Sequence, residues 1–272
     1  IASVITSISL EHTNILGDKL ESIAFEKAEI IKKNQKVFIG DMPTEAVEII
    51  CQKAQNEHAK LYDIKNYAKY YQSGSELDLG LRKIKIDSLP LKGFYQFKNA
   101  SLAVLAVVKL FESINNEVIE LGLKNVIVNS GIQGRYEIYN DTPRVIMDSA
   151  HNLDGVELFL EEFSKEENFY TKRTLIYGSM KDKNVSDILD KLSKHFDNIF
   201  ITEIEYERSL TIDELLNIGQ KNSIHLEELR NPAKYIKEVI QKKKDEVLVV
   251  LGSMYILGGI KKNLLTMLDI AK

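Results

Sequence analysis

The feature that most constrains this chain is a regular alternation between short apolar runs and longer segments of helical period. The strand-like runs in the first half lie at 4–10, 36–40 and 60–64. Helical spacing is found at 18–33, 45–55 and 96–112, and a polar, alternating stretch at 66–90 predicts a hairpin. Strands that alternate with crossover helices form parallel sheets, so we expect an α/β fold.

A second series of the same kind follows residues 129–133, where a glycine-containing turn predicts a domain boundary. Its strand-like runs lie at 145–150, 174–180, 198–204 and 246–252. Its helical segments lie at 154–165, 185–196 and 231–243, and another follows residue 252. We therefore expect two α/β domains, at 1–130 and 131–272.

Charge and composition exclude several classes of protein. The net charge is -4 and Lys and Arg are spread along the chain, so the sequence shows no basic cluster typical of nucleic-acid binding. No apolar run approaches the roughly 18 residues of a membrane span. A single cysteine and the lack of a basic segment before the first apolar run predict a cytoplasmic protein. The chain begins at Ile1 in what reads as the middle of a domain, so we expect a further N-terminal part.

Two residues near the start could carry chemistry. His12 follows a strand, at the kind of strand end where ligand-binding groups gather in open α/β sheets. Lys27 falls, at about 100° per residue, within the apolar stripe of the 18–33 helix. A buried lysine must pair, snorkel or lose its charge, and a neutral lysine can react with CO2. The alternatives are a capping or surface histidine and a snorkelling lysine paired with Glu26 or Glu29.

The helix at 96–112 begins with two amide side chains on one face. Gln96 and Asn99 stand three residues apart, and such neighbours lie on the same side of a helix. Amides placed in this way can recognise the edge of a base. Simple capping of the helix start remains the alternative.

A third cluster interrupts an apolar strand abruptly. Asp148, Ser149, His151 and Asn152 follow the run that opens the second series. Polar groups at a strand's carboxyl end, before a helix N-terminus, suit an anion or a ribose. Arg135 precedes that strand and could bring a planar cation to a phosphate group.

These segments together resemble the folylpolyglutamate synthase/dihydrofolate synthase family. The run ITSISLEHTNILGDKLESIAFEKAEI is similar to that family's first signature, and GRYEI followed by VIMDSAHN resembles a second. YGSMKDKNV, ERSLTIDEL and LGSMYILGGI match later family segments in order, so the resemblance covers nearly the whole chain. Glu11, Glu29 and Leu153 depart from the usual Asp, Gly and Pro.

The resemblance implies a fold and a set of site residues. It implies a P-loop-type central ATPase domain at 1–130, followed by a Rossmann-like C-terminal domain of the Mur ligase type at 131–272. His12 is similar to the family's Mg2+-binding histidine, and Lys27 to a lysine that is carbamylated near the metal. Asn99 resembles the adenine contact and Arg135 the phosphate-binding arginine. Asp148, with Ser149 beside it, resembles the ribose-binding aspartate, and His151 resembles the histidine on the phosphate side.

The implied activity is an ATP-dependent, ADP-forming ligation. The ligands are ATP, Mg2+, L-glutamate and either dihydropteroate or a folate, and the implied enzyme is a monomer. The 272 residues contain no G-x-x-x-x-G-K-[ST] motif, so we expect the family's phosphate-binding loop upstream and no activity from these residues alone. The alternatives are a peptidoglycan-type amino-acid ligase and a non-catalytic folate- or nucleotide-binding module.

Overall fold

The computed structural model describes residues 1–9, 19–203, 206–242 and 245–269, with the side chains of 267–269 left out. The described chain divides into two compact units, Ile1–Gly131 and Ile132–Lys272. Both units are mixed α/β structures built on parallel strands, which confirms the predicted fold class. Within the described ranges, no helix is long and apolar enough to cross a membrane.

The first unit contains a parallel sheet and a separate antiparallel sheet. The parallel sheet has the order β1-β2-β3, and the antiparallel sheet the order β4-β5-β6. The strands are β1 (Ala2–Ile5), β2 (Lys36–Ile39), β3 (Lys60–Asp63), β4 (Ala68–Tyr71), β5 (Gly74–Asp78) and β6 (Lys83–Ile86). The helices are α1 (Leu20–Ala28), α2 (Thr44–Asn56), α3 (Phe94–Leu110), α4 (Asn116–Lys124) and α5 (Val126–Ser130).

The second unit is a six-stranded sheet with helices on both faces. Its order is β11-β10-β9-β12-β8-β7, and only β7 runs antiparallel to its neighbour. The strands are β7 (Glu137–Asn140), β8 (Arg144–Asp148), β9 (Lys172–Tyr177), β10 (Asn198–Ile201), β11 (Glu227–Glu228) and β12 (Glu246–Leu251). The helices are α6 (Leu153–Phe163), α7 (Val185–Ser193), α8 (Ile212–Lys221), α9 (Pro232–Lys242) and α10 (Met254–Asp269).

The central strands of this sheet are buried on both faces because they are uninterrupted apolar runs. In β12 every residue after Glu246 is buried, as expected for a parallel strand covered by helices on both sides. One core joins the sheet to α6, α7 and α8, and another joins its opposite face to α9 and α10. Helices α6, α7 and α8 therefore lie on one face of the sheet and α9 and α10 on the other, and in such folds ligands bind at the carboxyl ends of the strands.

Candidate functional site

Asp148, at the carboxyl end of β8, has a buried carboxylate with both oxygens hydrogen-bonded. Its side chain is 5% exposed. Oδ2 accepts the backbone N–H of Tyr136 at 2.6 Å, and Oδ1 accepts that of Ala150 at 2.7 Å. Burial raises the pKa of the Asp148 carboxyl, against the opposing effect of these two N–H groups. The aspartate thus holds the preceding turn against the strand end. Contact with a ribose stays a prediction, and it would use the second lone pair of each oxygen.

The turn Gly134–Tyr136 presents Arg135 beside the same strand end. Ser149 donates to the Gly134 carbonyl from its backbone N–H at 3.0 Å and from Oγ at 2.9 Å. The Arg135 guanidinium donates through one terminal nitrogen to Ser149 Oγ and to the Gly134 carbonyl. Among the described residues, Nε and the other terminal nitrogen of this half-buried arginine have no recorded partner. Arg135 therefore keeps several donors for an anion.

Glu137, just after this turn, stabilises it through two contacts. Its Oε2 accepts the backbone N–H of Gly134 at 2.7 Å. Lys261, on α10, reaches Glu137 Oε1 at 2.6 Å and Gln133 Oε1 at 2.8 Å. The turn is consequently tied both to β8 and to the last helix of the second unit.

His151 and Asn152 lie between β8 and α6. His151 is exposed, and its Nδ1 lies 3.0 Å from the Ser149 carbonyl oxygen. A carbonyl oxygen only accepts, so Nδ1 carries a proton in this contact. Asn152 accepts the N–H of Gly155 at 2.8 Å and caps α6. Of the four polar residues predicted here, Asn152 is thus explained by capping.

The prediction that Lys27 is buried in an apolar stripe is wrong. The helix α1 ends at Ala28, so Lys27 lies in its last turn, and the side chain is exposed. Ile30, which the periodicity placed on the same stripe, is beyond the helix and 48% exposed. Neither Glu26 nor Glu29 forms a recorded ion pair with Lys27, and Glu29 instead pairs with Lys53 of α2 at 2.9 Å. A cation near a helix C-terminus is favoured by the helix dipole.

The other predicted residues of the first unit are less fully described. His12 lies outside the described residues. Asn99 is exposed on α3 and donates to the buried Gln96 at 3.3 Å, so the two amides do share a helix face. The roles expected of Lys27, His12 and Asn99 toward metal and nucleotide stay predictions. In the described ranges, no group of three or more His, Cys, Asp or Glu side chains could hold a metal ion.

The sequence did not indicate a cleft at the carboxyl end of β10. It has a volume of about 460 Å³, and polar side chains line much of it, including Thr202, Glu203, Asp213 and Arg230. A smaller cleft of about 250 Å³ shares three of these residues and extends to Tyr255 at the start of α10. Thr202 follows β10 directly, so a search for polar residues after each apolar strand could have found this region.

Comparison with known proteins agrees with this fold. Residues 134–254 match the family described as Mur ligase, glutamate ligase domain. The chain is 26% identical over 270 residues to the dihydrofolate synthase/folylpolyglutamate synthase of Bacillus subtilis, covering 96% of this chain and 62% of that protein. The Escherichia coli protein of the same name is 29% identical over 218 residues, covering 79% and 49% respectively.

Solved structures show the same fold. A folylpolyglutamate synthase from Mycobacterium tuberculosis, complexed with ADP and AMPPCP, superposes with a TM-score of 0.79 at 24% identity and covers 97% of this chain and 63% of its own. A bifunctional folylpolyglutamate synthase/dihydrofolate synthase from Yersinia pestis, complexed with AMPPNP and Mn ion, gives 0.76 at 24% identity, covering 97% and 61%. The chain thus spans less than two thirds of the relatives it matches. Residues 134–254 match a Mur ligase glutamate ligase domain, and the chain is homologous to the folylpolyglutamate/dihydrofolate synthases along about 96% of its length.

Proposed function

We propose that the protein containing this chain is an ATP-dependent ligase that adds L-glutamate to dihydropteroate or to a folate, releasing ADP and phosphate. One observation carries the proposal. Arg135 lies next to the carboxyl end of β8 with unused guanidinium donors, inside the segment that matches a glutamate ligase domain. The names of the homologues and the nucleotides bound by the solved relatives support the same activity.

The proposed reaction forms an amide in two displacements. The carboxylate of the pteroate or folate attacks the γ-phosphorus of ATP, ADP leaves, and an acyl phosphate remains. The amino group of glutamate then attacks the acyl carbon and phosphate leaves. Little covalent chemistry falls to the protein, so its contribution is positioning and charge stabilisation. Arg135 would neutralise developing phosphoryl charge, with Asp148 and Ser149 toward the ribose, His151 toward the phosphates and Asn99 toward adenine.

Mg2+ is part of the proposal on the strength of the family resemblance. His12 and a carbamylated Lys27 would hold it. Lys27 is accessible to CO2 because its side chain is exposed. The bound ion would supply charge neutralisation on the phosphates. Among the described residues no carboxylate cluster offers a competing metal site.

The proposed enzyme is a cytoplasmic monomer, and the 272 residues alone are proposed to be inactive. They contain no phosphate-binding loop of the form G-x-x-x-x-G-K-[ST], and such a loop supplies the backbone N–H groups that cradle phosphates.

The test compares the full-length gene product with the 272-residue chain. Each is incubated with ATP, Mg2+, radiolabelled glutamate and either dihydropteroate or tetrahydrofolate, and both the amide product and ADP are measured. We expect product from the full-length protein only. Turnover of a UDP-linked peptidoglycan precursor in place of the folates would refute the substrate assignment. Activity of the 272-residue chain alone would refute the need for the loop.

A further inference from the structure

Tyr136 connects the Gly134–Tyr136 turn to a partly buried cluster of polar groups around Glu166. Its backbone N–H donates to Asp148 Oδ2 at 2.6 Å, and its hydroxyl donates to Glu166 Oε1 at 2.8 Å. The side chain is 4% exposed. Tyr136 therefore joins the end of β8, at its backbone, to Glu166, at its hydroxyl.

Two residues of this turn have a left-handed backbone conformation, which residues other than glycine rarely adopt. Tyr136 has φ +46, and Gly134, two residues earlier, has φ +65. A left-handed backbone is unfavourable for a bulky residue and persists only where its surroundings impose it. Glu137 and Lys261 contact residues at either end of the turn, whereas Tyr136 anchors the residue next to Arg135 through its own backbone and side chain.

The far end of Tyr136 is itself firmly held. Its ring lies 5.4 Å from that of Phe159, on the buried face of α6. Glu166 also accepts the Tyr170 hydroxyl at 2.5 Å and pairs with Arg144 at 3.2 Å. Without the hydrogen bond to Glu166, the Tyr136 ring would still pack against Phe159, but its position and orientation would be less restricted.

We infer that Tyr136 is a positioning residue, which fixes Arg135 in the geometry that receives the phosphate groups by bridging Asp148 and Glu166. The inference rests on the proposed function, since it is the phosphate contact of Arg135 that gives the bridge its purpose. A loosened turn would hold Arg135 in the competent geometry for a smaller fraction of the time. The apparent affinity for ATP falls by that same fraction.

The test uses Tyr136→Phe in the full-length gene product, with Tyr170→Phe as the matched control. Each variant removes one hydroxyl from Glu166, but only Tyr136 belongs to the turn. We expect Tyr136→Phe to raise the KM for ATP roughly three- to tenfold while the KM for glutamate stays within about twofold. Tyr170→Phe should leave both constants within about twofold. Equal effects of the two variants, or no effect of Tyr136→Phe on the KM for ATP, would overturn the inference.

A double-mutant cycle separates positioning from a general loss of stability. If Tyr136 acts through Arg135, Tyr136→Phe should have no further effect on the KM for ATP in an Arg135→Ala background. If the effects of the two substitutions on the KM for ATP add, Tyr136 does not act through Arg135.

Hydrogen exchange provides a readout that does not depend on turnover. The amides of residues 134–137 should exchange faster in Tyr136→Phe than in the wild type or in Tyr170→Phe. Faster exchange in a protein that ligates no glutamate would refute the proposed function while supporting the bridge. Unchanged exchange in an active enzyme would refute the bridge alone.

Discussion

Replacing Glu166 by Gln is expected to destabilise the second unit by about 3 kcal/mol at pH 7. The carboxylate accepts two tyrosine hydroxyls, at 2.8 Å from Tyr136 and 2.5 Å from Tyr170. A glutamine offers one acceptor oxygen, so one hydroxyl must reverse to accept from the amide. Each hydrogen bond also loses its charge assistance, at a cost of about 1 kcal/mol.

Loss of the ion pair between Glu166 and Arg144 accounts for the rest of the expected destabilisation. Both side chains are 19% exposed and lie 3.2 Å apart, so solvent screens part of the interaction and about 1 kcal/mol is a reasonable share. Among the described residues, the carboxylate left to Arg144 would be Asp141, whose side chain is 85% exposed. The Arg144 Nε has no partner among the described residues, and the substitution would leave this half-buried cation less well compensated.

The effect should depend on pH with a definite sign. Burial raises the pKa of the Glu166 carboxyl, but the hydroxyls of Tyr170 and Tyr136 and the Arg144 guanidinium together lower it below its usual value. A folded-state pKa below the unfolded one stabilises the protein above the unfolded pKa of about 4.3, and this stabilisation is lost as pH falls through the folded value. The difference between wild type and Glu166→Gln should therefore be full at pH 7 and shrink below about pH 4.

The measurement is urea unfolding, monitored by far-ultraviolet circular dichroism, at pH 7 and again below about pH 4. Glu161→Gln, an exposed position on α6, the helix that precedes Glu166, is the control and should change the free energy of unfolding by less than about 0.5 kcal/mol. A Glu166→Gln variant as stable as the wild type at pH 7, or a difference that does not change with pH, would refute this account of the cluster.

Four further predictions concern Arg135, Lys27, Gly134 and Gly122. Arg135→Ala should lower kcat/KM for ATP about 100-fold in the full-length protein, and Arg135→Lys should restore only part of it; a steady-state assay decides. Lys27→Ala should reduce turnover about 100-fold while the exposed Lys33→Ala does not, and near wild-type activity would count against the metal assignment. Gly134→Ala should destabilise by roughly 2 kcal/mol, because its φ is +65 and a Cβ would lie 2.6 Å from Leu257. Gly122→Ala, in open space on α4, should stabilise by about 0.5 kcal/mol in the same urea titration.

Much of the strand and helix order of the second unit could be predicted because its signals are local. Both β8 and β12 are uninterrupted apolar runs, and each of the predicted helices has an apolar face. Helix α4 was missed because Val118 and Leu121 are exposed while Ile119 is buried, so its apolar residues form no single stripe. Helix α8 was missed although Thr211 and Glu214 form a capping box, a signal that the sequence carries.

The site could be predicted only as a set of residues near a strand end. The sequence places Asp148 after β8 and Arg135 before it, but it does not reveal that Asp148 accepts the Tyr136 N–H twelve residues away. Lys27 was misplaced because helical spacing was extended past Ala28, where the helix ends. Glu166 was not noticed, since its partners are brought together by folding rather than by spacing.

The anchoring of the Gln133–Glu137 turn has a consequence for the cationic side chain that the turn carries. Each contact described here that fixes Arg135 comes from the second unit: Asp148 and Ser149 at β8, Glu166 after α6, and Lys261 on α10. Arg135 and the carboxyl end of β8 are therefore held together within one folded unit. The direction in which this arginine presents its positive charge is thus set when the second unit folds.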